Sequence, residues 1–175
     1  MHRLIILTLF IIVSFTWGTT WMAMKITVHT IPPLFATGMR FLLASPILIA
    51  ISSVTKSPLL FPIKHRLFQI FIIFFYFTIP FTLMLYAGTC VTAGLASILF
   101  STMPVIVLIF SLLFLKEKIM SFQILGLVIF FIALLYLLYI KCSFNNFNQI
   151  KGIFAIILAV LSHAYIYIQC KKKMC

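Results

Sequence analysis

Six apolar runs of roughly twenty residues, each closed by turn-forming or basic residues, decide what this chain can fold into. A run of that length, wound at about 1.5 Å per residue, crosses the roughly 30 Å hydrocarbon core of a bilayer. Inside lipid every backbone N–H and C=O must be satisfied within its own segment, so each run is read as a transmembrane helix. The runs cover about residues 4–24, 33–54, 67–86, 93–115, 122–140 and 152–170. Between them stand Pro32-Pro33, Ser57-Pro58 with Pro62, Gly88-Thr89, Lys116-Glu117-Lys118 and Asn145-Asn146, all turn chemistry. The expected fold is all-α, a polytopic membrane helix bundle of about six transmembrane helices. With 65% hydrophobic and 8% charged residues, no material is left for a water-facing shell.

Met1-His2-Arg3 before the first run looks like the start of a secretory leader. The run is long, no A-x-A site follows it and further spans come after, so it is read as a retained helix. A formal charge of +12 raises the question of nucleic acid. The cations sit singly or in short groups between apolar runs, and most of the phenylalanines lie inside those runs, so the partner is the lipid bilayer and no nucleic acid is expected. With a cytoplasmic N-terminus, Arg3, Lys56, Lys64, Arg66, Lys116, Lys118, Lys171, Lys172 and Lys173 all fall on the cytoplasmic side. Lys25, Arg40, Lys141 and Lys151 remain. Both termini are therefore expected in the cytoplasm. A chain rich in Ile, Phe, Lys and Asn suggests an AT-rich bacterial genome, which makes the expected location a bacterial cytoplasmic (inner) membrane.

Glu117 is the single acidic residue. Paired-carboxylate hydrolysis, a two-metal centre and a nucleotide-bound magnesium all lack their ligands. Cys90, Cys142, Cys170 and Cys175 show neither a C-x-x-C spacing nor a histidine at ligand distance, so no metal or cofactor is expected. Ser162 beside His163 is splayed by about 100° around a helix and makes a poor catalytic pair. The expectation is a protein that is not an enzyme.

Close helix packing in lipid leans on small residues. Ala93, Ser97 and Ser101, flanked by Gly94 and Ala96, form such a row in the fourth run, and Ser14 with Gly18 form a smaller one in the first. Pro46, Pro80 and Pro104 interrupt three runs and point to kinks whose freed carbonyls a neighbour or a cavity must satisfy.

Five residues are candidates for substrate binding: Trp17, Trp21, Lys25, Arg40 and His163. Arg40 lies about 10 Å into the second run. It either lines a passage as an anion-attracting group or snorkels to the outer interface. Lys25 marks the mouth of such a passage or anchors the first helix. Trp17 and Trp21, one turn apart, belong to an interfacial aromatic belt or shape a substrate mouth. His163 contacts substrate or protons within the membrane, or bonds a neighbouring helix.

WGTTWMAMK, PPLFATGMRFLLA, LYAGTCVTAGLASILFSTMPVIVLIFSLLFLKEKI and QILGLVIFFIALLYL together resemble, in order and spacing, the EamA-type repeat of the drug/metabolite transporter superfamily. The resemblance covers about residues 13–140, and KGIFAIILAVLSHAYIYIQCKKK resembles the first helix of a second repeat. It implies a permease of ten helices in two inverted five-helix repeats, moving amino acids, metabolites or drug-like compounds, commonly outward. Trp17, Gly18 and Lys25 correspond to the family's W-G element and the cation after it, Arg40 to its second-helix basic residue, Pro104 to its fourth-helix proline and Glu117 to the glutamate closing that helix. Lys116 stands where the family usually has Gly. On this reading residues 4–140 form one five-helix repeat and residues 141–175 a sixth helix with a basic tail, the start of an incomplete second repeat. That is half of an inverted-repeat transporter, whose substrate site lies between halves. A truncated carrier ranks ahead of a half-transporter needing a partner half or a homodimer. The alternative is a non-transporting membrane subunit or gene remnant whose cations only anchor helices.

Overall fold

The computed structural model describes residues 2–115, 120–141 and 147–174. Glu117, Lys116, Lys118, Asn145, Asn146, Cys142 and Cys175 lie outside the described residues. Those described fold into helices joined by short turns, with no strand among them. Six stretches are long and apolar enough to cross a membrane: Leu4–Thr30, Pro33–Val54, Ile63–Cys90, Ala93–Leu115, Phe122–Lys141 and Phe147–Lys173, called here the first to sixth spans. The all-α polytopic bundle expected from the sequence is the one observed.

The first span runs six residues past its expected end because nothing breaks it before Pro32; the threonines it passes bond back to the helix, Thr27 Oγ1 to Ala23 O at 2.8 Å. Gly88-Thr89, expected as a turn, lies inside the third span, whose helix continues to Cys90. The break comes at Val91, which is extended, and Thr92 opens the fourth span by accepting from Leu95 N–H at 3.3 Å. Gly88 serves close approach instead: a Cβ there would sit 3.5 Å from a Val28 methyl.

The sixth span is the centre of the packing. It lies against the third and the fourth spans, and 44% of its apolar window is buried, against none for the first and fifth spans. Gly152, Ala155, Ile156, Ala159, Val160, His163 and Ala164 follow the spacing of one helix face and are all buried. Small residues at this face let the backbones come close. At Gly152 an added Cβ would stand 2.7 Å from Cys90 Cβ and 2.8 Å from Val91 Cγ1. The small-residue rows expected elsewhere do not pack this way. A Cβ on Gly18 would meet nothing within 4 Å, and in the fourth span the buried face is Leu95, Ala96, Leu99 and Phe100 while Gly94 and Ser101 stay exposed. Large apolar side chains pack there because the partner face on the sixth span is already low.

Each proline is accommodated in its own way. Pro46 has no N–H for Leu42 O, and the Ser45 hydroxyl donates to that oxygen at 2.9 Å without a break in the helix. Pro104 sits just inside a restart of the fourth span at Met103, where Ser101 and Thr102 hydroxyls bond Ile98 O at 2.6 Å and Leu99 O at 2.7 Å. Before Pro80 the third span widens into a π-helix, Ile73–Thr78, in which Ile79 N–H donates five residues back to Phe74 O. The next carbonyl in that register, Phe75 O, faces the proline nitrogen and has no donor in its own helix. The Ser162 hydroxyl of the sixth span donates to it at 2.7 Å. Ser162→Ala is expected to destabilise the protein by about 1 kcal/mol, within the range of interhelical bonds in lipid. In a Pro80→Ala background, where an N–H is restored, the same exchange is expected to cost clearly less, read by a double-mutant cycle of unfolding in detergent.

Candidate functional site

A cavity of about 560 Å³ opens between the first, second, third, fourth and sixth spans. Four of the five candidate residues border it: Trp17, Trp21, Arg40 and His163. Trp21 is buried, its ring 5.4 Å from Phe100 and tilted by 57°, so it joins the first span to the fourth. Trp17, one turn earlier, keeps 57% of its surface exposed. Each has one flank on the cavity.

Arg40 projects from the second span beside the aromatic wall. Its guanidinium carbon lies 5.0 Å from the centroid of Phe81, within the range of a cation–π contact. Phe41, next to it, packs edge-on against Phe77 and Phe81 and fixes the second span to the third. Arg40 also borders a smaller hollow of about 290 Å³ with Thr20, Thr27 and Leu85. It is exposed to both spaces, and the chain's one carboxylate side chain, Glu117, lies outside the described residues.

His163 is 93% buried by virtue of the sixth span's central position, with a relative exposure of 7%. Its ring centroid lies 3.9 Å from that of Tyr76 and 6.2 Å from that of Phe81. Its Nδ1 is buried without a hydrogen-bond partner among the described residues. A buried, unsatisfied ring nitrogen costs free energy of about 1–3 kcal/mol, and the residue that carries it borders the cavity. Ser162, its neighbour in sequence, points to Phe75 O, so the two side chains do different work.

Lys25 is placed elsewhere. Its ammonium donates to Gly88 O at 2.6 Å and Val91 O at 2.9 Å, where the third span ends. Those carbonyls have no partner in their own helix, and a cation at this end also meets the negative pole of the helix dipole.

Tyr76, Phe77 and Phe81 complete the wall and were not singled out in the sequence. Their aim follows from the π-helix: an extra residue in a helix offsets the faces before and after it by roughly 100°. Pro80 within FFYFTIPF was the available signal. Tyr167, one turn from His163 in sequence, is exposed and lies off the cavity.

The described helices form a multi-pass membrane bundle around an aromatic cavity that Arg40 borders. The chain belongs to the EamA-like transporter family, which it matches over residues 4–139. It is 58% identical over 175 residues to a protein named "Uncharacterized transporter" in Buchnera aphidicola subsp. Schizaphis graminum (strain Sg), covering 100% of this chain and 58% of that one. It is 54% identical over 175 residues to Protein PagO of Salmonella typhimurium (strain LT2), covering 100% of this chain and 58% of that protein. A third relative, "Uncharacterized transporter YoaV" of Bacillus subtilis (strain 168), is 28% identical over 150 residues, 86% of this chain and 51% of its own length. The chain thus spans little more than half the length of these relatives. No solved structure matches it.

Proposed function

We propose that this chain supplies one side of the substrate cavity of a carrier for small organic molecules, among amino acids, metabolites and drug-like compounds, in a bacterial inner membrane with both ends in the cytoplasm. Six spans put both ends on one side, and the lysines closing the sixth span suit the cytoplasmic face. The observation that carries the reading is Arg40. A guanidinium inside a span is expensive to insert, about 2.5–3.5 kcal/mol at mid-helix, and this one borders an aromatic cavity. The cation suits the anionic end of a solute, and the rings suit its apolar part. The cavity's remaining wall is assigned to further protein, a longer form of the chain or a partner half, since carriers of this kind hold substrate between two halves. The family match is to transporters, which supports transport as the reading.

The test is flux. In liposomes holding the chain together with the protein that completes the cavity, Arg40→Leu is expected to weaken half-saturation for an anionic substrate about tenfold or more, as for loss of a charged hydrogen bond. Arg40→Lys should keep part of it. A second reading, a non-transporting membrane subunit whose cations only anchor helices, draws on Lys25, which is engaged in holding one helix end to another. Absence of flux from that completed assembly for every compound in a broad metabolite panel, with Arg40→Leu and the unaltered chain alike, would favour that second reading.

A further inference from the structure

One end of the bundle is rich in positive charge. Lys64 and Arg66 open the third span and Lys171, Lys172 and Lys173 close the sixth, yet the sequence contains one acidic side chain. Lys173 Nζ lies 3.7 Å from the centroid of the Phe68 ring, which ties the end of the sixth span to the beginning of the third.

Beside that contact is a second pocket, of about 420 Å³, bounded by Phe61, His65, Phe68, Ile72, Cys170 and Lys173. The approach to it is apolar and uncovered: Leu59 is 58% exposed, Leu60 59%, Phe61 42% and Ile63 80%. Four large apolar side chains in five residues suit the boundary between headgroups and acyl chains, and Lys64 and Arg66 follow them in sequence. A free inorganic anion would need the cations alone. Rings and aliphatic side chains directly below a lysine match a molecule that carries its negative charge on top of hydrocarbon.

We propose that the pocket between residues 59–68 and the end of the sixth span binds one anionic glycerophospholipid, its phosphate at Lys173 beside His65 and an acyl chain along Phe61, Phe68 and Ile72. This site is at the far end of the sixth span from Gly152 and does not depend on what the central cavity carries. The stacked ring orders the Lys173 ammonium and leaves its N–H groups able to reach a phosphate oxygen.

The purified full chain in dodecyl maltoside, titrated with phosphatidylglycerol, phosphatidylcholine or inorganic phosphate and read by native mass spectrometry, tests this. Phosphatidylglycerol is expected to be retained, one lipid per chain, about fivefold more strongly than phosphatidylcholine, and millimolar phosphate should not displace it. Lys173→Gln should lower retention about fivefold, whereas Lys173→Arg and, at the opposite end, Lys151→Gln should keep it. Equal retention of the two lipids, displacement by phosphate alone, or an unchanged Lys173→Gln each overturns the proposal. If Lys173→Gln folds poorly, alkylation of Cys170 in the unaltered chain decides: it should be slowed by phosphatidylglycerol and not by phosphatidylcholine, and equal rates would refute the site.

Discussion

Gly152→Leu is expected to lower the stability of the folded bundle by about 3 kcal/mol, the upper end of the usual cost of overpacking. The reason is the kind of atom in the way. An added Cβ would lie 2.7 Å from Cys90 Cβ, 2.8 Å from Val91 Cγ1 and 3.4 Å from Ala87 O. A backbone oxygen and a Cβ cannot swing aside as a long side chain can, so the sixth span itself must move away from the end of the third. That displacement reaches His163, eleven residues along the same helix, and with it the cavity wall. Unfolding in dodecyl maltoside, followed by circular dichroism against temperature or added denaturing detergent, measures the effect. Gly126→Ala is the control, because a Cβ there meets nothing within 4 Å. If Gly152→Leu melts with the unaltered protein, the close approach of the third and sixth spans is not real.

Lys25→Met is expected to cost about 2 kcal/mol. The substitution keeps a long apolar stem but removes both donors, so Gly88 O and Val91 O lose the partner that ends the third span. Unsatisfied buried polar groups cost about 1–3 kcal/mol each; Lys25 is only half-buried, and water at the interface recovers part of that. Lys151→Met provides the contrast, since that ammonium lies over the Phe147 ring at 4.6 Å, a contact of about 0.5–1 kcal/mol at an exposed site. A Lys25→Met protein as stable as Lys151→Met would mean that Lys25 merely sits in the headgroup layer. The stapling role would then be lost.

The spans were legible because lipid offers a backbone no alternative to the helix, and length with apolarity therefore suffices. Helix ends were less so. Gly88-Thr89 carries the punctuation of an aqueous turn, yet the glycine is used for contact with Val28, and the end is set by Lys25 arriving from the first span. Such a partner cannot be seen in a local window. The same limit applies to packing: small residues are visible in the fourth and sixth spans alike, but which face meets a neighbour depends on where the other helices stand. Of the candidate site, Trp17, Trp21, Arg40 and His163 share one cavity, because a polar or amphipathic residue deep in a span needs somewhere other than lipid to point. Tyr76 stayed hidden among phenylalanines. Its direction depends on a widened turn, and that turn depends on Pro80 and on a serine 87 residues away in sequence.

The hold of Lys25 on the third span has an electrostatic consequence for solutes. A helix ends in roughly half a negative elementary charge, which would repel an anion arriving at that rim of the bundle. Lys25 covers this pole with a full positive charge and, being bonded to carbonyls instead of a carboxylate, keeps its monopole. That end of the third span therefore carries net positive charge instead of negative, on an ammonium already bonded to two carbonyls.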